Sequence, residues 1–248
     1  MVLLNLLVKP IAIFGIDAAV QNRVATEEYG IYFSLLNFSF LFNILLDLGI
    51  NNFTTKSVAQ APSVASSYLS KVLSFRFFLF ILYGIVSMTA AYALGWNGYE
   101  MYLLSFLLLN QFIITLIAYA RSYFGGLLLF KTDAIISILD RFLLILFCGV
   151  LIYTPITETP FKIEWFIWIQ TLCYGITLAV ASVIIFTKLG VPKLKFDSKY
   201  SYDIIKKSFP YALLIFLMII YTRLDSVMVE RIHENGKAET GYYAKGFR

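Results

Sequence analysis

Residues 101–120 read MYLLSFLLLNQFIITLIAYA, twenty consecutive positions without a formal charge. As an α-helix rising 1.5 Å per residue, this stretch is about 30 Å long, the thickness of a bilayer's hydrocarbon core. Working outward, residues 72–94, 134–153, 165–186, 31–50 and 208–229 read the same way, and residues 1–20 are apolar enough for another crossing. These segments are about twice as long as the ~10-residue strands of a membrane barrel and do not alternate in polarity, so their backbone hydrogen bonds must close within helices. The expected fold is all-α, a polytopic transmembrane helical bundle of about seven spans. Composition agrees: the chain is 60% hydrophobic and 14% charged, with a mean hydropathy of +0.78. A soluble domain is about half apolar and a quarter charged.

Orientation follows from the basic residues. With the first span at 1–20, Lys56, Lys71, Arg121, Lys131, Lys188, Lys193, Lys195, Lys199, Lys206 and Lys207 fall in loops on one side, and Arg23, Lys162, Arg231 and Lys237 on the other. Basic loops stay cytoplasmic, which predicts a cytoplasmic N-terminus and puts Trp96, Tyr99, Trp165 and Trp168 at the outer interface. The stretch Lys188–Lys207 is the one long basic linker. It suits anionic lipid, each Lys contributing about 1 kcal/mol near the surface, and nucleic acid is not an expected partner. Cys148 and Cys173 fall inside predicted spans and read as packing residues. The one histidine, His233, rules out His-rich metal motifs, so neither a metal site nor a cofactor is expected. Met1–Val8 has no basic stretch before it and no small-residue cleavage site after it, and so reads as part of a spanning helix, not a signal peptide. Gly241–Arg248 (GYYAKGFR) reads as the start of one more helix, and both ends of the chain are expected to be truncated.

The first and seventh spans resemble each other. Ile16-Asp17-Ala18-Ala19-Val20-Gln21-Asn22-Arg23-Val24 lies over Leu224-Asp225-Ser226-Val227-Met228-Val229-Glu230-Arg231-Ile232, with Asp and Arg six residues apart in each. Glu28-Tyr29-Gly30-Ile31-Tyr32 and Glu239-Thr240-Gly241-Tyr242-Tyr243 follow, after a second loop three residues longer. Six helices per unit in equal orientation imply a parallel repeat about an axis along the membrane normal. Residues 1–187 are then a six-helix N-lobe, 188–207 a cytoplasmic basic linker, and 208–248 the first helix of a truncated C-lobe, with a substrate path expected between the lobes.

Ionisable groups inside a bilayer cost at least about 2.5–3.5 kcal/mol each at its centre and turn toward protein or water. Here they are Lys9, Asp17, Asp47, Arg76, Asp140, Arg141, Arg223 and Asp225. Arg76 lies a turn or so inside its span, within reach of the interface. Asp140 and Arg141 point about 100° apart on a helix, which predicts a separate partner for each on another helix. Asp17 and Asp47 read as lying near the outer ends of their spans, as coupling or structural carboxylates alongside Asp140 and Asp225. Lys9-Pro10 joins a costly charge to a residue that frees a backbone carbonyl. Asn37, Asn43, Asn110 and Gln111 add neutral polar groups suited to hydrogen bonds between helices. Buried basic groups suit a diphosphate, which Arg binds through paired hydrogen bonds, while its lipid tail stays in the bilayer. A sodium- or proton-coupled exporter would rely on the Asp residues instead, and the charges alone support both.

The segment from Lys9-Pro10 through Glu28-Tyr29-Gly30-Ile31-Tyr32 to Leu46-Asp47-Leu48-Gly49-Ile50 resembles the opening of Wzx-type bacterial polysaccharide flippases. Arg223-Leu224-Asp225-Ser226-Val227-Met228 with Gly241-Tyr242-Tyr243-Ala244 extends that likeness. These proteins belong to the MOP exporter superfamily with the MurJ and MATE transporters. The resemblance implies a MATE/MurJ-like N-lobe and a central cavity that opens alternately to each side. It implies an undecaprenyl-diphosphate-linked oligosaccharide as cargo, moved across the bacterial inner membrane for surface polysaccharide such as O-antigen. Lys9, Arg76, Arg141 and Arg223 become candidates for a cationic cavity lining. Membrane lipids, and Na+ or H+ as a coupling ion, are the other implied partners. The alternative is a MATE-like cation-coupled multidrug exporter. An enzyme such as a membrane glycosyltransferase is not expected, because the outer loops are too short to carry a catalytic domain.

Overall fold

A computed structural model describes residues 7–153, 161–192, 198–232 and 235–246. Among these residues there is no strand. The described residues 7–10 are helical and lead into a π-helical stretch, Ile11–Asp17, that continues into α1 (Ala18–Arg23). Pro10 sits at the head of this wide turn. Then come α2 (Thr26–Leu41), α3 (Ile44–Asp47), α4 (Ile50–Gln60), α5 (Ala65–Ala93), α6 (Tyr99–Gly126), α7 (Phe130–Tyr153), α8 (Ile163–Leu189), α9 (Ser198–Ile232) and α10 (Gly236–Gly246).

Four of these, α5 to α8, are each long and apolar enough to cross a membrane, and they cover the crossings expected at 72–94, 101–120, 134–153 and 165–186. α6 is the most deeply buried of the four and packs against α2, α4, α5, α7 and α8. The outer faces of the bundle are apolar: Phe78, Ile81 and Ile85 on α5 and Phe142, Leu146 and Val150 on α7 are all exposed. In water such stripes would be a liability. Against acyl chains they are the expected surface. Cys148 and Cys173 are buried free thiols.

The crossing expected at 31–50 is a bent pair. α2 and the α3–α4 stretch meet at 41° and together make a fifth candidate span. That bend falls at residues 42–43, and a second break, between α3 and α4, follows where Leu48 and Gly49 both adopt left-handed backbone (φ 46° and 76°). Glycine takes this conformation freely, and a branched apolar residue such as leucine takes it at a cost. The break is held from two sides. Asp47 Oδ1 accepts the Asn51 backbone N–H at 3.3 Å, capping α4, and Arg76 on α5 reaches in to donate to the Leu46 carbonyl at 3.3 Å.

One boundary differs from expectation. α9 begins at Ser198, so the latter part of the expected 188–207 linker is helical. Trp96, expected at the outer interface, is buried in protein, with its ring edge-on to Phe38 (centroids 4.8 Å apart).

α10 crosses α2 at the two glycines of the Glu-x-Gly-x-Tyr segments. A Cβ on Gly30 would run into the Lys237 carbonyl oxygen, and a Cβ on Gly241 would run into the Thr26 carbonyl oxygen. The contact is reciprocal, since Thr26 and Lys237 each lie four residues before a glycine. Small residues permit this backbone approach between membrane helices. The corner between α9 and α10 also grips the α5–α6 connection. Trp96 Nε1 donates to Glu230 Oε1 at 3.1 Å, the Arg231 guanidinium lies 4.4 Å from the Trp96 ring centroid, and Lys237 Nζ meets Glu100 Oε1 at 2.8 Å.

Candidate functional site

The bundle holds a partly open cavity of about 250 Å3 whose lining is part polar and part apolar. Five helical segments supply its walls: Asp17 from the π-turn; Tyr29, Tyr32, Phe33, Leu36 and Phe40 from α2; Leu107, Asn110, Gln111 and Ile114 from α6; Arg141 from α7; and Phe166, Gln170 and Tyr174 from α8. The spacing explains the convergence. Tyr29, Phe33, Leu36 and Phe40 recur every three or four residues and share one face of α2, as do Phe166, Gln170 and Tyr174 on α8. Gln170 Nε2 donates to the Tyr32 hydroxyl at 3.2 Å, and the Tyr32 ring lies edge-on to Phe166 with centroids 5.7 Å apart. Gln111 Oε1 accepts from Asn43 Nδ2 at 2.9 Å, tying α6 to the bend after α2. Asn110 is 3% exposed, and neither its Nδ2 nor its Oδ1 finds a partner among the described residues.

Of the residues singled out from the sequence, Asp17 and Arg141 therefore meet in one cavity. Arg141 also pairs with Asp140, its Nε lying 3.5 Å from Oδ2. This corrects the expectation that helical neighbours 100° apart cannot pair, because the long Arg side chain curls back along the helix surface to reach the carboxylate. Asn37, expected to bond between helices, donates to the Phe33 carbonyl on its own helix at 2.8 Å.

Arg76 stands apart from the cavity. It is 1% exposed, eleven residues into α5, where the sequence reading put it near the interface. The helix simply starts seven residues before the expected span. Its guanidinium donates to Asp47 Oδ1 at 3.0 Å, to Asn51 Oδ1 at 2.7 Å and to the Leu46 carbonyl, and lies 4.5 Å from the Tyr119 ring centroid. Its three hydrogen bonds all serve the break between α3 and α4. Asp47 accordingly lies at the far end of the α2–α3 stretch, toward the connection that carries Lys56 and Lys71, and not at the end that follows Arg23. Lys9 is exposed ahead of the π-turn. Asp225, exposed on α9, accepts a hydrogen bond from the Tyr243 hydroxyl of α10. Arg223 lies on α9, but its side chain falls outside the described residues.

Sequence reading missed Tyr29, Tyr32, Gln170 and Tyr174 as cavity-lining groups. The signal for Gln170 was present: a neutral amide in the middle of an apolar span, four residues before a tyrosine. The tyrosines gave no comparable sign, since seventeen of them are spread along the chain.

A partly polar chamber with a guanidinium inside a lipid-facing bundle suits a charged or hydroxylated solute. The family model described as "Polysaccharide biosynthesis protein" matches residues 1–248. No curated protein and no solved structure matches the chain. With the match running through every helix named above, the chain belongs to the polysaccharide biosynthesis protein family.

Proposed function

We propose that this chain is part of a flippase that carries an undecaprenyl-diphosphate-linked oligosaccharide across the bacterial inner membrane, with its N-terminus in the cytoplasm and no enzymatic step of its own. The observation that carries the reading is Arg141 opening beside Asp17 into a polar cavity within a membrane bundle, in a family tied to polysaccharide biosynthesis. A guanidinium in such a site is the donor that a phosphate or a sugar hydroxyl needs. Residues 1–187 act as one lobe and 208–248 as the opening of a second. The reciprocal Gly30 and Gly241 contact supports this, because two segments related by a two-fold axis touch through the same positions on each. The Trp96–Glu230 and Lys237–Glu100 contacts then close the path on the side of the Arg23 connection.

The test is glycan export. Arg141→Ala in the protein expressed from its own gene should lower surface glycan by about tenfold or more, as loss of a charge-assisted hydrogen bond predicts. Membrane insertion should be unchanged and Arg141→Lys should recover part of the activity. Wild-type export from Arg141→Ala would remove Arg141 from the transport path.

A further inference from the structure

Asn110 is the least explained polar group in the bundle. A buried amide is normally hydrogen-bonded, and leaving its donor and acceptor unpaired costs stability that a leucine in the same place would not. Here both ends are unpaired and the side chain lines the cavity. Beside it stand one carboxylate, Asp17, one guanidinium, Arg141, a second amide, Gln170, and the aromatic side chains Tyr32 and Phe166. An amide offers two donors and two acceptor lone pairs, which matches neighbouring hydroxyls on a ring, where each oxygen both donates and accepts. Carboxylate and guanidinium extend that pattern, and the aromatic walls suit the C–H face of a sugar.

Size and charge narrow the ligand. The cavity of about 250 Å3 lies below the ~300–1,000 Å3 of drug-sized sites, which fits one ring and not a chain of them. Arg141 is shared between Asp17 and its own neighbour Asp140, which leaves no net positive charge to select an anion.

We infer that this cavity is a subsite for a single neutral pyranose of the cargo, held by Asn110 together with Asp17 and Arg141. The inference rests on the saccharide reading above and adds the place where one sugar is recognised.

The experiment is saturation-transfer NMR on the purified chain in detergent, with the methyl glycosides of glucose, galactose, rhamnose and N-acetylglucosamine as probes, alongside thermal unfolding. The wild type should give transfer from at least one glycoside. Asn110→Leu should weaken that transfer by about tenfold, the loss of one well-made hydrogen-bond pair, with an unfolding temperature equal to or above the wild type's. Undiminished transfer in Asn110→Leu overturns the subsite and leaves the saccharide reading standing. A lower unfolding temperature in that variant marks Asn110 as a structural group and also overturns it. No transfer to the wild type overturns the subsite. If sodium chloride then stabilises the wild type relative to choline chloride, the saccharide reading falls with it.

Discussion

Replacing Arg76 by Ala should unfold the bundle at markedly lower temperature, with a loss of about 3 kcal/mol. This is the low end of the roughly 3–5 kcal/mol that follows removal of one partner from a buried ion pair, because Asp47 remains 26% exposed and partly solvated. The loss is not confined to one contact. Without the guanidinium, the Leu46 carbonyl beside the α3–α4 break and Asn51 Oδ1 lose this donor, and Asp47 Oδ1 keeps only the Asn51 backbone N–H. Thermal unfolding in detergent, followed by tryptophan fluorescence, measures the effect. The cost should shrink when Asp47→Leu is already present, since the two changes share one network and cannot add. Additive losses would show that Arg76 and Asp47 act independently and that the α3–α4 break is held by something else.

Gly30→Val should expel α10 from its seat on α2. Even a Cβ at Gly30 overlaps the Lys237 carbonyl and comes within 2.9 Å of the Gly241 backbone nitrogen. A branched side chain therefore forces two backbones apart, and neither carbonyl can swing aside without breaking its helix. Gly241→Val should do the same from the other side, against the Thr26 carbonyl and side chain. Hydrogen–deuterium exchange reads the result: the amides of residues 236–246 are protected in the wild type and should exchange rapidly in either variant, with α5 to α8 unaffected. Equal protection in both variants would mean that the helices do not cross at these glycines.

Much of this architecture was legible because lipid imposes a length. Residues 101–120 could be read as a crossing with no knowledge of their neighbours, and the same holds for the apolar cores of α5, α7 and α8. What could not be read were events that depend on partners. Nothing in the run Phe42-Asn43 announces the bend that splits the straight crossing expected at 31–50, and nothing in Leu46-Asp47-Leu48-Gly49 announces that leucine will take a left-handed conformation. Once the break at Leu48-Gly49 was missed, the Leu46 carbonyl had no reason to need a donor, and Arg76 read as a cavity residue. Arg141 and Asp17 were visible as costly charges, but their meeting depends on which faces of five segments turn inward. The Glu-x-Gly-x-Tyr echo was legible as similarity. That its two glycines touch is a fact of packing alone.

A solute path through this bundle requires the interior positions to be wet while the outer faces of the same helix are not. The direct measurement is thiol accessibility in intact membranes. Cys148 and Cys173 would be replaced by Ala, and single cysteines placed one at a time at Asp17, Arg141, Phe142 and Leu146. Phe142 and Leu146 lie on the exposed apolar face of α7. A charged, water-soluble thiol reagent should modify cysteine at positions 17 and 141 and spare those at 142 and 146. Silence at 17 and 141, or labelling at 142 and 146 as fast as at 141, would contradict a water-filled chamber inside this bundle.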